Sequence, residues 1–133
     1  MGKEILIIDH VAVSANSEEE SDKFFVSLLG LKKDKVFTVS KNLMEKFFGI
    51  KKDQQIIRYS SEKVNIEAFI TNKKNKIKGK FTHICFSIED RNHFLSKAEK
   101  MMYKVIRVAR EGSDNYYLFV KDAFGNLYEI KSP

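Results

Sequence analysis

Hydrophobic positions fall mostly in short blocks of strand length, interrupted by stretches in which they recur every three or four residues. Residues 4–14 (EILIIDHVAVS) are β-branched and apolar and end in a polar run, which predicts a strand. Ser17 followed by Glu18, Glu19 and Glu20 has the spacing of a capping box, with three acids where the helix dipole favours them. The helix it opens sets Phe24, Phe25, Leu28 and Leu29 on one stripe, and Gly30 supplies its stop. Residues 35–40 predict a second strand, 42–48 a short helix closed by Gly49, 54–60 a third strand with Ile56 and Arg58 on one face, and 64–70 a fourth. Residues 71–80 hold five lysines and one apolar residue, Ile77, and read as a solvated connection. Beyond it, residues 81–88 (FTHICFSI) predict a strand, and Asp90 caps a helix whose stripe is Phe94, Leu95, Ala98, Met101 and Met102. Residues 104–110, 116–121 and 127–131 complete the chain as three more strands.

Each half is thus strand, helix, strand, strand, strand, and the halves agree residue by residue. His10-Val-Ala-Val-Ser14 matches His83-Ile-Cys-Phe-Ser87, and Glu67 sits between apolar neighbours as Glu129 does. The His-to-Glu spacing is 57 residues in the first half and 46 in the second, a difference of 11 that is about the length of the extra short helix. Two such units pack together because neither alone covers its sheet. The expected fold is α+β: two βαβββ repeats, residues 4–70 and 81–132, forming a curved mixed sheet with helices on the outside, in a single domain over 1–133.

Composition supports one ordinary core, since 133 residues are 43% hydrophobic with eleven Phe. No window reaches the run of about 20 apolar residues that spans a bilayer, and the N-terminus lacks a signal-peptide pattern, so the expectation is a soluble, cytoplasmic protein without a membrane partner. The lone Cys85 excludes an intrachain disulfide and a cysteine-based zinc site. The net charge of +6 raises nucleic acid as a partner, but the lysines are scattered and no RNA-recognition strand or helix-turn-helix pattern appears. A small-molecule substrate, anionic if the charge attracts it, fits as well.

Strand alternation separates two faces. Ile8, His10 and Ala12 share one face of the first strand, His83, Cys85 and Ser87 one of the fifth, Asn65, Glu67 and Phe69 one of the fourth, and Leu127, Glu129 and Lys131 one of the eighth. The opposite face of each strand is the more apolar and is expected against the helices. His10, Glu67, His83 and Glu129 then line an inner surface as an N2O2 set suited to one divalent ion, Ni, Co, Zn, Mn or Fe. Taken singly, each is more often a surface or hydrogen-bonded residue, and it is the repetition that favours ligation. His93 is expected at the surface and Cys85 in a pocket wall.

Together, the doubled strand-helix-three-strand unit, the two His-led strands, the IEAF strand and Asp122-x-Phe-Gly-Asn-x-x-Glu129 resemble the vicinal oxygen chelate superfamily. It includes glyoxalase I, methylmalonyl-CoA epimerase, extradiol dioxygenases and the fosfomycin and bleomycin resistance proteins. The resemblance covers essentially the whole chain and implies His10, Glu67, His83 and Glu129 as metal ligands, a set most similar to glyoxalase I. It implies a lyase or isomerase that stabilises an enediolate of a small carbonyl substrate, with Glu129 or Glu67 moving the proton. A fosfomycin-resistance-type transferase or hydrolase, or a non-enzymatic binder, are the rival readings. Ser14 stands where glyoxalase I proteins typically carry the arginine that holds glutathione. Arg58, Lys131 and Arg107 are the cations left to anchor an anionic tail, each expected as solvated surface. A homodimer is also implied, with the sheet closed within one chain or by exchange between two.

Overall fold

The fold described here is a computed structural model covering residues 8–71, 83–110, 112 and 115–133. Two four-stranded mixed sheets emerge from the two repeats. The first repeat contributes β1 (Val11–Ala15), β2 (Lys32–Val39), β3 (Gln54–Ser60) and β4 (Asn65–Ile70), in the order β1-β4-β3-β2. The second contributes β5 (His83–Ser87), β6 (Lys104–Ala109), β7 (Tyr116–Lys121) and β8 (Leu127–Lys131), in the order β5-β8-β7-β6. In both, the first strand pairs parallel with the last and the other pairings are antiparallel. This is the expected α+β arrangement of paired βαβββ units.

The helices begin where their caps direct. Ser17 accepts a hydrogen bond from the Glu20 amide at the head of α1 (Glu18–Asp22), which runs on into a π-helical segment, Lys23–Leu28. Ser40 and Gly49 bracket α2 (Lys41–Phe48), Gly49 taking the left-handed φ of 72° that a side chain resists. Asp90 accepts from the His93 amide to open α3 (Arg91–Lys100).

One core joins the repeats. Phe24 and Phe25, both fully buried, reach across from the first helix: Phe25 stacks on Tyr59 at 4.9 Å and Phe24 meets Tyr128 at 4.8 Å. Around them lie Ile57, Ile66 and Ala68 of the first sheet and Leu118, Val120 and Ile130 of the second. The faces opposite Glu67 and Glu129 are therefore the core-facing ones, as the alternation implied. The Tyr59 hydroxyl donates to Asp22 and accepts from the Ser21 hydroxyl, anchoring sheet to helix inside this core.

Several boundaries differ from the sequence reading. The described part of β1 starts at Val11, so His10 precedes the strand; there the Asn65 side chain donates to the Asp9 carbonyl in place of a ladder bond. Residues 4–7, 81–82 and the lysine-rich connection over 72–80 lie outside the described residues. Strand β2 begins at Lys32, earlier than its apolar residues indicated, because Lys33 is tied to Glu18 and Asp22 at 2.6 and 2.9 Å and its polarity hid the strand. Met102 is not in the α3 stripe: it takes a left-handed φ of 64° past the helix end and is 90% exposed. Phe94, Leu95 and Ala98 are buried as expected.

Candidate metal centre

Register places the candidate side chains. On the face of the first sheet turned from the core, Lys35, Arg58, Glu67 and Ala12 form one cross-strand row. His10 sits at the edge of that row, its Nε2 3.6 Å from Glu67 Oε1. In the second sheet the equivalent row is Ile106, Phe119, Glu129 and Cys85, with His83 Nε2 again 3.6 Å from Glu129 Oε1. The four expected ligands thus come together as two pairs of equal spacing. The pairs do not merge: no cluster of three or more potential metal-binding side chains occurs among the described residues.

Each pair fits half of a divalent-ion site. A separation of 3.6 Å is too long for a hydrogen bond. It is close to the roughly 3.4 Å between two donors held by one ion at metal–ligand distances of about 2.0–2.2 Å in a tetrahedral arrangement. His10 is prepared in a second way. Its Nδ1 donates to Asp9 Oδ2 at 2.8 Å, a carboxylate–imidazole contact of the kind that orients a ligating ring.

The two carboxylates differ in their surroundings. Glu67, 7% exposed, accepts a hydrogen bond from Arg58 Nη2 at 2.7 Å through Oε2, which leaves Oε1 toward His10. Arg58 is thereby committed to Glu67 and is not the solvated cation the sequence suggested; its Nε is buried with no partner among the described residues. Glu129 has Phe119 and Cys85 beside it in register, and no guanidinium. Cys85 is exposed, and burial, the larger influence, together with the Glu129 charge pushes its thiol up. Arg107 lies over the Tyr116 ring at 4.0 Å, and Lys131 and His93 are exposed.

A cavity of about 870 Å³ opens over the first pair, bounded by His10, Arg58 and Glu67 at one end and by apolar residues of β2, β4 and α2 beyond. Ser14 lines it, its carbonyl accepting from the Asn126 side chain at 2.9 Å. Asp9, the Arg58–Glu67 bond and the α2 wall were not singled out from sequence. The adjacency of Asp9 to His10 and the exposed-helix pair Phe47-Phe48 were the available signals.

The turn before β8 sets the facing of Glu129. Asp122, buried, accepts from the Phe124 and Asn126 amides, from Asn126 Nδ2 and from the Tyr128 hydroxyl, closing the reversal at Gly125. No helix among the described residues is long and apolar enough to cross a membrane.

Comparison with known proteins agrees with this architecture. No curated protein matches the chain in sequence. A glyoxalase family protein of Bacillus cereus superposes with a TM-score of 0.74 at 16% identity, over 96% of this chain and 94% of that one. One from Enterococcus faecalis gives 0.70 at 16% identity, over 92% and 94%. The fosfomycin resistance protein FosX of Listeria monocytogenes gives 0.71 at 11% identity, over 97% and 93%, in a variant complexed with Mn(II) and 1S,2S-dihydroxypropylphosphonic acid. At these identities the likeness is one of fold. The family model for the Glyoxalase/Bleomycin resistance protein/Dioxygenase superfamily matches residues 7–130, and the chain belongs to that superfamily.

Proposed function

We propose that the chain is a divalent-metal-dependent lyase or isomerase of the glyoxalase type acting on a small carbonyl compound, with His10, Glu67, His83 and Glu129 as the ligands. The observation that carries this is the duplicated His–Glu pair, 3.6 Å apart in each repeat and turned away from the shared core. One imidazole and one carboxylate are too few for a lasting site, since protein sites supply three or four ligands. The pairs stay separate among the described residues. Completion by a second copy follows: His10 and Glu67 of one protomer face the partner subunit's His83 and the partner subunit's Glu129, in a homodimer with two equivalent sites.

The ion, when bound, supplies a Lewis acid that polarises a carbonyl oxygen and lowers the barrier to losing the adjacent proton. The protein's groups divide the remaining work. Glu67 is fixed by Arg58 and serves as a positioning ligand. Glu129, with no guanidinium across from it, takes the proton and returns it to the neighbouring carbon in an isomerisation, or to the same carbon in an epimerisation.

Metal analysis of the purified protein after loading with Mn, Ni or Zn tests the ligand set. The expected result is one ion per protomer, with the content lowered in Glu67→Gln and in His83→Ala. Unchanged content in both variants would refute it. Hemithioacetals, acyl-CoA racemates and epoxide antibiotics, offered to the loaded protein, then separate the reaction classes.

A further inference from the structure

Two successive rows on the open face of the first sheet contrast in character. Lys35, Arg58 and Glu67 make a charged row; Phe37, Ile56 and Phe69, two residues further along, make an apolar one. Strand geometry sets the rows roughly 7 Å apart. Helix α2 walls the apolar end. Its Phe48 meets Phe69 edge-on at 5.7 Å and Met44 is buried, while Phe47 and Phe48 remain 62% and 55% exposed beside the cavity. Among the described residues no helix stands between the second and third strands of the second repeat, β6 and β7, which only six residues separate. The insertion that made the repeats unequal is therefore what builds this wall.

Charge narrows the ligand further. Arg58 and Glu67 are bonded to each other, so among the described residues lining the cavity no cation is left uncompensated. Beyond that pair the lining is apolar, and an uncharged tail finds aromatic surface there. A volume of about 870 Å³, polar at one end and apolar at the other, matches a site for an amphiphilic small molecule.

We propose that this cavity is a tail subsite, and that the substrate carries an alkyl or aryl chain that extends from the His10–Glu67 end over Phe37 and Phe69 to Phe48. The placement of the head rests on the metal-site reading above; the tail subsite stands on the cavity itself. About five or six methylenes span the distance between the rows.

Calorimetric titration with two ligand series, n-alkyl hydroxamates and n-alkanols from butyl to octyl, tests this on manganese-loaded and on chelator-treated protein. Affinity is expected to rise about fourfold per methylene in both series and in both forms of the protein. The double variant Phe47→Ser, Phe48→Ser is expected to flatten that slope, and both positions are exposed enough for the fold to tolerate it. A flat dependence on chain length in the unmodified protein overturns the subsite, including the case in which a second copy of the chain covers the aromatic wall. A steep dependence with no preference for hydroxamate over alkanol in the loaded protein supports the subsite and overturns the metal reading.

Discussion

Asp122→Ala removes the residue that holds the turn into β8. Its carboxylate accepts four hydrogen bonds, from the Phe124 and Asn126 amides at 3.0 and 2.9 Å, from Asn126 Nδ2 at 2.7 Å and from Tyr128 Oη at 3.0 Å. Water reaches part of Asn126, but Tyr128 is fully buried and Phe124 is 5% exposed, so truncation orphans two buried donors. At about 1–3 kcal/mol for each such group, the expected loss is about 3–4 kcal/mol. With an unfolding entropy of about 0.28 kcal/mol/K for 133 residues, the melting temperature falls by about 12 °C. Urea unfolding and calorimetry at neutral pH, with chelator present so that no ion adds linkage, measure it. A loss below about 1 kcal/mol would refute the assignment of the turn to this carboxylate.

The same residue predicts a pH dependence. Burial, the largest influence, raises the Asp122 carboxyl above its ordinary range, against the pull of its hydrogen bonds. For an acid with a raised folded-state value, the stabilising contribution is complete below the unfolded value near 3.8 and is lost as pH rises through the folded one. Asp122→Asn, which keeps an acceptor for the two amides, is expected to cost less than alanine and to remove this contribution to the pH slope.

Three further substitutions probe the core and the first pair. Tyr59→Phe removes the bonds to Ser21 and Asp22 and is expected to cost about 1–2 kcal/mol in urea unfolding. Phe25→Ala opens the shared core and should cost about 3–5 kcal/mol, with both repeats unfolding in one transition because the ring contacts Tyr59 and Tyr128 alike. Arg58→Met strands Glu67; with solvent reaching the guanidinium, the loss is about 2 kcal/mol and is largely recovered by adding Glu67→Gln, a double-mutant cycle that an uncoupled pair would not show.

Periodicity and caps carried most of the fold because they are local. Ser17 and Asp90 cap the helices they were expected to cap, Ser40, read as the end of a strand, caps α2 instead, and the repeat of His and Glu strands gave the sheet topology its two halves. What was not legible depends on partners distant in sequence. Lys32 and Lys33 concealed the start of β2 because their strand character comes from pairing with Ser60 and Tyr59. Arg58 looked like solvated surface until register set it opposite Glu67. That His10, Glu67, His83 and Glu129 sit on the face turned from the core followed from alternation, whereas their separation into two pairs follows from how the repeats share one core. Alternation within a strand says nothing about that.

Complementation between two inactive chains tests the central claim most directly. On the proposed assembly, His10→Ala and His83→Ala each disable every site in their own homodimers. In a mixed dimer assembled across subunits, one site receives both lesions and the other receives none. Metal content and activity measured after co-refolding the two variants are therefore expected to reappear, with one ion per mixed dimer. If mixed dimers form and bind no more metal than either variant alone, the site does not assemble from half-sites on two chains and the account is contradicted.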